Sequence, residues 1–222
     1  MAELYFVRHG QASFGSPNYD QLSELGFQQC QWLGEYFRQR DIAFDRVICG
    51  EMVRHHQTAE TICAALAQPP RLETHAGFNE FDFKALLQRF ADAHPDQAVD
   101  DWGNVRQVYR CLRAAMLAWA EERLPPCDSQ ESWSEFRQRV AEALGFARRG
   151  GRTLISTSGG AISMALSQLM GFGAETLVNL NMQSRNAAIT HCFYTANEAY
   201  VTGFNQVPHL DTPERLWSIT LS

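Results

Sequence analysis

The stretch LYFVRHGQAS, residues 4–13, decides the fold, because a short apolar run ends there in Arg8, His9 and Gly10. An apolar run of this length, bounded by polar residues and glycine, predicts a buried strand over residues 4–7. In open α/β sheets, ligands bind just beyond the carboxyl ends of the strands. The sequence therefore predicts that Arg8 and His9 lie at a ligand site.

Strand and helix patterns alternate on both sides of this stretch. RVIC at 46–49 and TLIST at 153–157 predict two further strands. Helical spacing follows the strands: one helix capped by Ser23, one that begins near Met52, and one that ends at Gly171. This order predicts an α/β fold, with a mostly parallel central sheet that carries helices on both faces.

The pattern changes to helices alone over residues 83–148. This segment includes the capping box SWSE at 132–135. We interpret it as a helical insertion (a cap) over the active site, within a single domain that spans residues 1–222. Near the end of the chain, the alternation around Asn197 predicts a β-hairpin.

Charge and composition exclude several classes of function. The 222 residues carry a formal net charge of −6 and no run rich in lysine and arginine, so we expect no nucleic-acid partner. No apolar run is long enough to span a bilayer, and no secretory signal is visible, so we expect no membrane partner. The six cysteines are scattered without a CxxC pair, which favours reduced thiols and a cytoplasmic location.

Three of the predicted strand ends carry residues that suit a phosphate group. The first ends in Arg8 and His9, the second leads into a helix with Arg54, and the third ends at Ser158 and Gly159, where another helix begins. Guanidinium groups match phosphate oxygens, and a helix N-terminus supplies N–H donors. An imidazole can attack phosphorus through its unprotonated nitrogen. Taken singly, the arginine could be a solvated helix residue and the glycine pair a tight turn.

The other histidines carry less weight in the sequence. His55 and His56 are interpreted as surface or packing residues rather than ligands. His191 lies in a strand-like run, where a packing role is favoured over that of a substitute donor. No set of histidine, cysteine and carboxylate residues has the spacing of metal ligands, so we expect no metal and no cofactor.

Together these pieces match a known family. The segments FVRHGQAS, LSELGFQQ, RHHQTAET and FNEFDF resemble the histidine phosphatase superfamily, also called the phosphoglycerate mutase-like family. The resemblance implies that His9 is the nucleophile and that Arg8 and Arg54 bind the phosphate. It also implies that Glu80 in FNEF is the proton donor.

The chain departs from the family pattern at two places. Ser158, in TSGG, stands where the family carries a second histidine, and Gly15 stands where the family often has asparagine, with Asn18 nearby. The serine could donate a hydrogen bond to phosphate, or it could cap the helix that begins at Gly159. The sequence leaves both roles open.

The resemblance implies a phosphatase that hydrolyses phosphate monoesters through a phosphohistidine on His9, working slowly because Ser158 replaces the usual histidine. The substrate would be a small-molecule or protein phosphate ester. Two alternatives stay open: a phosphoglycerate mutase, and a catalytically weak module that binds a phosphorylated ligand. The sequence does not indicate an oligomeric state.

Overall fold

The computed structural model describes residues 2–13, 20–195 and 198–221, and these residues form an α/β fold around a mixed sheet. Its six strands, in chain order, are β1 (Ala2–Arg8), β2 (Arg46–Cys49), β3 (Leu72–Thr74), β4 (Arg152–Thr157), β5 (Ile189–Tyr194) and β6 (Ala199–Gln206). Their order across the sheet is β3-β2-β4-β1-β5-β6. The strands β3, β2, β4 and β1 pair in parallel, whereas β5 runs antiparallel to both β1 and β6. The expectation of a mostly parallel sheet is confirmed.

Seven α-helices accompany the strands within the described residues. They are α1 (Glu24–Gln39), α2 (Val53–Ala65), α3 (Phe83–Ala93), α4 (Val105–Ala120), α5 (Trp133–Ala147), α6 (Gly159–Met170) and α7 (Ala174–Met182). Ser23 caps α1 by accepting a hydrogen bond from the amide of Gly26. Ser132 and Glu135 form the predicted capping box of α5. Gly171 ends α6 with a left-handed φ of 74°, a conformation that glycine adopts without strain.

Helices lie on both faces of the sheet because successive side chains of a strand point to opposite faces. Leu4 and Phe6 of β1 are buried in one apolar cluster, which also holds residues of α3 to α7. Tyr5 and Val7 are buried in a second cluster, which holds residues of α1 and α2. The apolar run of β1 is therefore covered on both sides, as expected for a central strand.

Parallel pairing brings the carboxyl ends of β1, β2 and β4 to one edge of the sheet. In the strand register, Arg8 lies opposite Thr157, and Cys49 lies opposite Ser156. The amide of His9 continues this pattern by donating to the carbonyl of Thr157 at 2.8 Å. The residues that follow these strands are therefore neighbours in space, although they are far apart in sequence.

Some elements differ from the sequence-based expectation. The short edge strand β3 and the helix α7 were not predicted. The strands of the predicted hairpin are β5 and β6, but its turn around Asn197 lies outside the described residues.

Residues 83–148 contain α3, α4 and α5. That they form a cap over the active site, within a single domain of residues 1–222, stays a prediction. Among the residues described, no helix is long and apolar enough to cross a membrane.

Candidate active site

His9 directly follows β1, and one hydrogen bond of its side chain determines which ring nitrogen carries the proton. The side chain is only 5% exposed, and its Nδ1 lies 2.7 Å from the carbonyl oxygen of Gly10. Because a carbonyl can only accept, Nδ1 carries the proton and Nε2 keeps its lone pair. Burial, and then the charges of Arg54 and Arg8, hold the pKa of His9 well below its usual value of 6.5. The imidazole is therefore neutral at physiological pH and nucleophilic at Nε2.

The backbone around His9 is held by side chains from helices α1 and α2 and from the turn before β5. Thr58 Oγ1 accepts from the Gly10 amide at 3.1 Å, and Gln29 Oε1 accepts from the Gln11 amide at 2.8 Å. Asn186 Nδ2 donates to the His9 carbonyl at 3.2 Å. Sequence reasoning did not identify Asn186, which belongs to no local motif, or Gln29, which ends the LSELGFQQ segment but had no role predicted for it. Thr58 could have been found, since it lies in the RHHQTA segment.

Two arginines flank His9, and other groups hold both of them. Arg54 is 6% exposed, and its Nη1 donates to Asp20 Oδ1 at 2.7 Å. Arg8 Nη1 donates to the carbonyl oxygens of Ser184 and Leu221. These contacts restrict the guanidinium groups before any ligand arrives, which lowers the entropic cost of binding. No sequence pattern pointed to Asp20.

Glu80 lies at the N-terminus of α6. Its Oε2 accepts a hydrogen bond from the Gly160 amide at 3.0 Å. Burial raises the pKa of Glu80 above its usual value, although the Gly160 amide and the charges of Arg54 and Arg8 oppose this rise. The charges of the same two arginines thus lower the pKa of His9 and oppose the rise in the pKa of Glu80. The structure brings together the four residues that the sequence predicted as catalytic, and their catalytic roles stay a prediction.

Gly160 is required for this position of Glu80. A Cβ atom at Gly160 would lie 2.2 Å from Glu80 Oε1 and 2.6 Å from Cε1 of Phe81. Replacing Gly160 with alanine is therefore expected to displace the carboxyl group. If Glu80 is the proton donor that the family resemblance implies, this change should lower kcat for alkyl phosphates by at least about tenfold, part of the 10²–10⁴-fold contribution of a general acid. Steady-state kinetics on the purified variant would test this.

Gly145 provides a matched control, because it also lies inside a helix but a Cβ there would meet nothing within 4 Å. The Gly145→Ala variant should keep full activity and gain about 1 kcal/mol of stability from helix propensity. Full activity in the Gly160→Ala variant would contradict the assigned position of the carboxyl group.

Ser158 does not cap α6 with its side chain, so the capping interpretation is wrong. It occupies the N-cap position with φ −118° and ψ 168°, but its side chain makes no capping hydrogen bond. Its Oγ lies 2.6 Å from Nε2 of His55 instead. His55 is fully buried, so it is a packing residue rather than a surface residue, and its ring also hydrogen-bonds to a residue of the predicted site.

The remaining candidates lie as follows. Gly159 packs against Asn181 so closely that a Cβ would lie 2.6 Å from Asn181 Oδ1. His56 is partly exposed. His191 is a packing residue as expected, because Nε2 contacts Glu3 Oε2 at 3.0 Å and Nδ1 contacts Thr202. Gly15 and Asn18 lie outside the described residues.

A cavity of about 500 Å³ opens beside Glu80. Phe81 and Trp119 give it an aromatic wall, and Gln130 and Arg139 add polar groups. Its volume is in the range of small-molecule sites. Among the described residues that line it, Glu80 is the one shared with the predicted catalytic residues, so the cavity extends from Glu80 rather than from His9.

No group of three or more histidine, cysteine, aspartate or glutamate residues in the described parts of the chain could hold a metal ion. The absence of a metal and a cofactor stays a prediction.

A neutral histidine, two arginines and an acid of raised pKa at one sheet edge suit phosphoryl transfer, and the comparisons with known proteins agree with that class. The family model of the "Histidine phosphatase superfamily (branch 1)" matches residues 4–207. The chain therefore belongs to the histidine phosphatase superfamily, and relatives of it carry the names of phosphatases and of phosphoglycerate mutases.

Two relatives match nearly the whole chain. One, from Hydrogenobacter thermophilus, is named "Putative phosphoserine phosphatase 2"; it is 25% identical over 221 residues, which cover 94% of this chain and 98% of that protein. The other, from Erwinia tasmaniensis, is named "Probable phosphoglycerate mutase GpmB"; it is 27% identical over 230 residues, which cover 95% of this chain and 96% of that protein.

The solved structure of the α-ribazole phosphatase from Shigella flexneri has the same fold. The TM-score is 0.65 at 20% sequence identity, with 92% of this chain and 96% of that chain covered. The predicted α/β fold class and the resemblance to the superfamily are confirmed.

Proposed function

We propose that the protein is a phosphomonoesterase that transfers the phosphoryl group of its substrate to His9 and then to water. The observation that carries this proposal is the hydrogen bond from Nδ1 of His9 to Gly10, which leaves the neutral Nε2 as the nucleophile between two arginines. Turnover of para-nitrophenyl phosphate, together with trapping of an acid-labile phosphoenzyme, tests it. A pure protein that does neither would contradict the proposal.

In the first step, Nε2 of His9 attacks phosphorus and the bond from phosphorus to the leaving oxygen breaks. Glu80 gives its proton to that oxygen, a transfer that its raised pKa favours. Arg8 and Arg54 balance the charge on the equatorial oxygens, and the 158–160 turn adds donors at the start of α6. The products of this step are the alcohol and a phosphohistidine.

In the second step, the Glu80 carboxylate takes a proton from water, and the water oxygen attacks phosphorus. The bond from phosphorus to Nε2 breaks, which releases inorganic phosphate and restores the neutral histidine. The substrate's leaving group would lie in the cavity beside Glu80, since that residue borders both the nucleophile's site and the cavity.

Inorganic phosphate or vanadate should inhibit competitively by binding among Arg8, His9, Arg54 and the 158–160 turn. Arg54→Leu should weaken this inhibition by about thirtyfold, because a charge-assisted hydrogen bond contributes about 2 kcal/mol. The inhibition constants of the two proteins measure this.

Arg106→Leu removes the same charge from an exposed position on α4 and serves as the control. Its inhibition constant should match that of the wild type. Equal weakening in both variants would mean that net charge, rather than a specific site, determines phosphate affinity.

A phosphoglycerate mutase is the second candidate, because a relative carries that name. A mutase needs additional cations for the carboxylate and second phosphate of its substrate. In the cavity beside Glu80, Arg139 is already paired with both carboxylate oxygens of Glu131 and donates to the carbonyls of Gly77 and Asn79. Arg89 donates to the carbonyls of Leu124 and Pro125. Phosphate transfer between 2- and 3-phosphoglycerate tests the mutase.

A module that only binds a phosphorylated ligand has less support. Binding alone needs neither a neutral nucleophile nor an acid with a raised pKa at the same site.

We also propose a small-molecule phosphate ester as substrate, because the cavity volume suits one. All six cysteines are free thiols, in keeping with the proposed cytoplasmic location.

A further inference from the structure

The contact between Ser158 and His55 is buried and specific. Ser158 is 1% exposed, His55 is 0% exposed, and their Oγ and Nε2 atoms lie 2.6 Å apart. The serine makes no capping bond to α6, so its hydroxyl is not committed to the helix. The backbone of His55 is anchored as well, because Ser156 Oγ donates to its carbonyl at 2.8 Å.

The surroundings of the second ring nitrogen indicate which atom of this pair is the donor. Nδ1 of His55 is buried and has no hydrogen-bond partner among the described residues. It lies against the backbone of Gly50, where a Cβ would come within 2.3 Å of it. If Ser158 donated to Nε2, the proton of a neutral ring would have to be on Nδ1. That N–H would then be buried without a hydrogen-bond acceptor. Orphaned buried N–H groups are rarer than unsatisfied acceptors, which favours a proton on Nε2.

With the proton on Nε2, His55 donates to Ser158 and the serine keeps its own proton for another acceptor. That acceptor has a clear location. Ser158 directly follows Thr157, whose carbonyl accepts the His9 amide, so the serine and the nucleophile are side by side at the edge of the sheet. The rings of His9 and His55 are 5.8 Å apart between centroids. A phosphoryl group on His9 is thus the nearest new acceptor for the Ser158 hydroxyl.

We propose that His55 is a positioning residue, which donates from Nε2 to Ser158 so that the serine hydroxyl donates to a phosphoryl oxygen at His9. In this arrangement one histidine is the nucleophile and the other orients a hydroxyl donor beside the phosphoryl group. The proposal rests on the proposed phosphatase function for its catalytic consequence. The direction of the hydrogen bond itself does not depend on that function.

A double-mutant cycle in the full chain tests the coupling. Ser158→Ala should lower kcat by about 10²-fold, the loss found for one donor to a developing oxyanion. His55→Leu should lower it by about tenfold, because the hydroxyl remains but is no longer oriented. In the Ser158→Ala background, His55→Leu should cost less than about twofold, since the two residues act as a unit.

Two further variants separate positioning from packing. His55→Gln can place an amide N–H near the position of Nε2 and should recover most of the wild-type kcat. His56→Leu alters the adjacent, partly exposed histidine and should leave kcat unchanged. Thermal unfolding of each variant identifies any loss of fold. Additive effects of the two single changes, or a folded His55→Gln as slow as His55→Leu, would overturn the proposal.

An NMR measurement distinguishes failure of this proposal from failure of the proposed function. The ¹⁵N shifts of His55 in the wild-type protein should show a neutral ring protonated at Nε2, with and without inorganic phosphate. A proton on Nδ1 would overturn the proposal whatever the activity. An inactive wild type with the expected tautomer would refute the phosphatase function and the catalytic consequence, and leave the hydrogen-bond direction supported.

Discussion

The His9→Ala variant is expected to lose phosphatase turnover by about 10⁶-fold, to the limit of detection, as removal of a catalytic nucleophile does. The expectation follows from the bare, neutral Nε2 that the bond to Gly10 and the nearby arginines produce. Alanine leaves no atom that could accept the phosphoryl group. Steady-state assays with para-nitrophenyl phosphate would measure the loss.

The phosphoenzyme gives a second measurement of the same assignment. Rapid quenching of the wild type with ³²P-labelled substrate should leave label that is stable to alkali and lost in acid, and His9→Ala should carry none. The His56→Ala variant is the matched control, because it removes a neighbouring imidazole and should keep both turnover and label. Label retained by His9→Ala would move the nucleophile to another residue.

The Glu80→Gln variant is expected to slow hydrolysis of alkyl phosphates by about 10²–10⁴-fold, the usual contribution of a general acid. The kcat/KM for para-nitrophenyl phosphate, which reports the reaction up to the phosphohistidine, should fall far less, because this leaving group departs without a proton. The ratio of kcat/KM between the two substrates is the quantity to measure. Equal slowing of both would indicate that Glu80 is structural.

The pH profile of the wild type checks the same role. Burial raises the pKa of Glu80, and the acid must be protonated to act, so activity on alkyl phosphates should fall as pH rises through that raised value. His9 must be unprotonated to attack phosphorus, and its pKa is lowered. Activity should therefore not fall as the pH drops through 6.5, where a free histidine would become protonated. Glu80→Gln should remove the alkaline decline. A decline that persists in this variant would belong to another group.

The relation between Ser158 and its neighbours shows where reasoning from sequence fails. A serine before a glycine-rich helix start has the local signature of an N-cap, and the position is indeed the N-cap of α6. Its side chain nevertheless bonds to His55, which is 103 residues away in the chain. Local propensity describes contacts within a few residues, whereas this contact forms because two parallel strands and a helix meet.

The same limit applies to Asp20, Gln29 and Asn186. Each makes one hydrogen bond that orients the arginine or the backbone of the nucleophile, at sequence separations of 34, 18 and 177 residues. Asp20 and Asn186 stand in no motif, and Gln29 ends the LSELGFQQ segment without a predicted role. The short strand β3 was missed for a related reason, since it has three residues and its stability comes from pairing with β2 rather than from its own pattern.

The sequence by itself determined the α/β class, the parallel strands with helices on both faces, and the identity of His9, Arg8, Arg54 and Glu80 as candidates. The fold features follow from period and length, which are local properties of the chain, whereas the choice of Glu80 follows from the resemblance to the family. Only the tertiary structure decided which nitrogen of His9 is free, how the pKa of Glu80 is raised, and that Ser158 faces His55. Such properties depend on burial and on hydrogen bonds between distant residues, and these arise when the carboxyl ends of separate strands meet at one edge of the sheet.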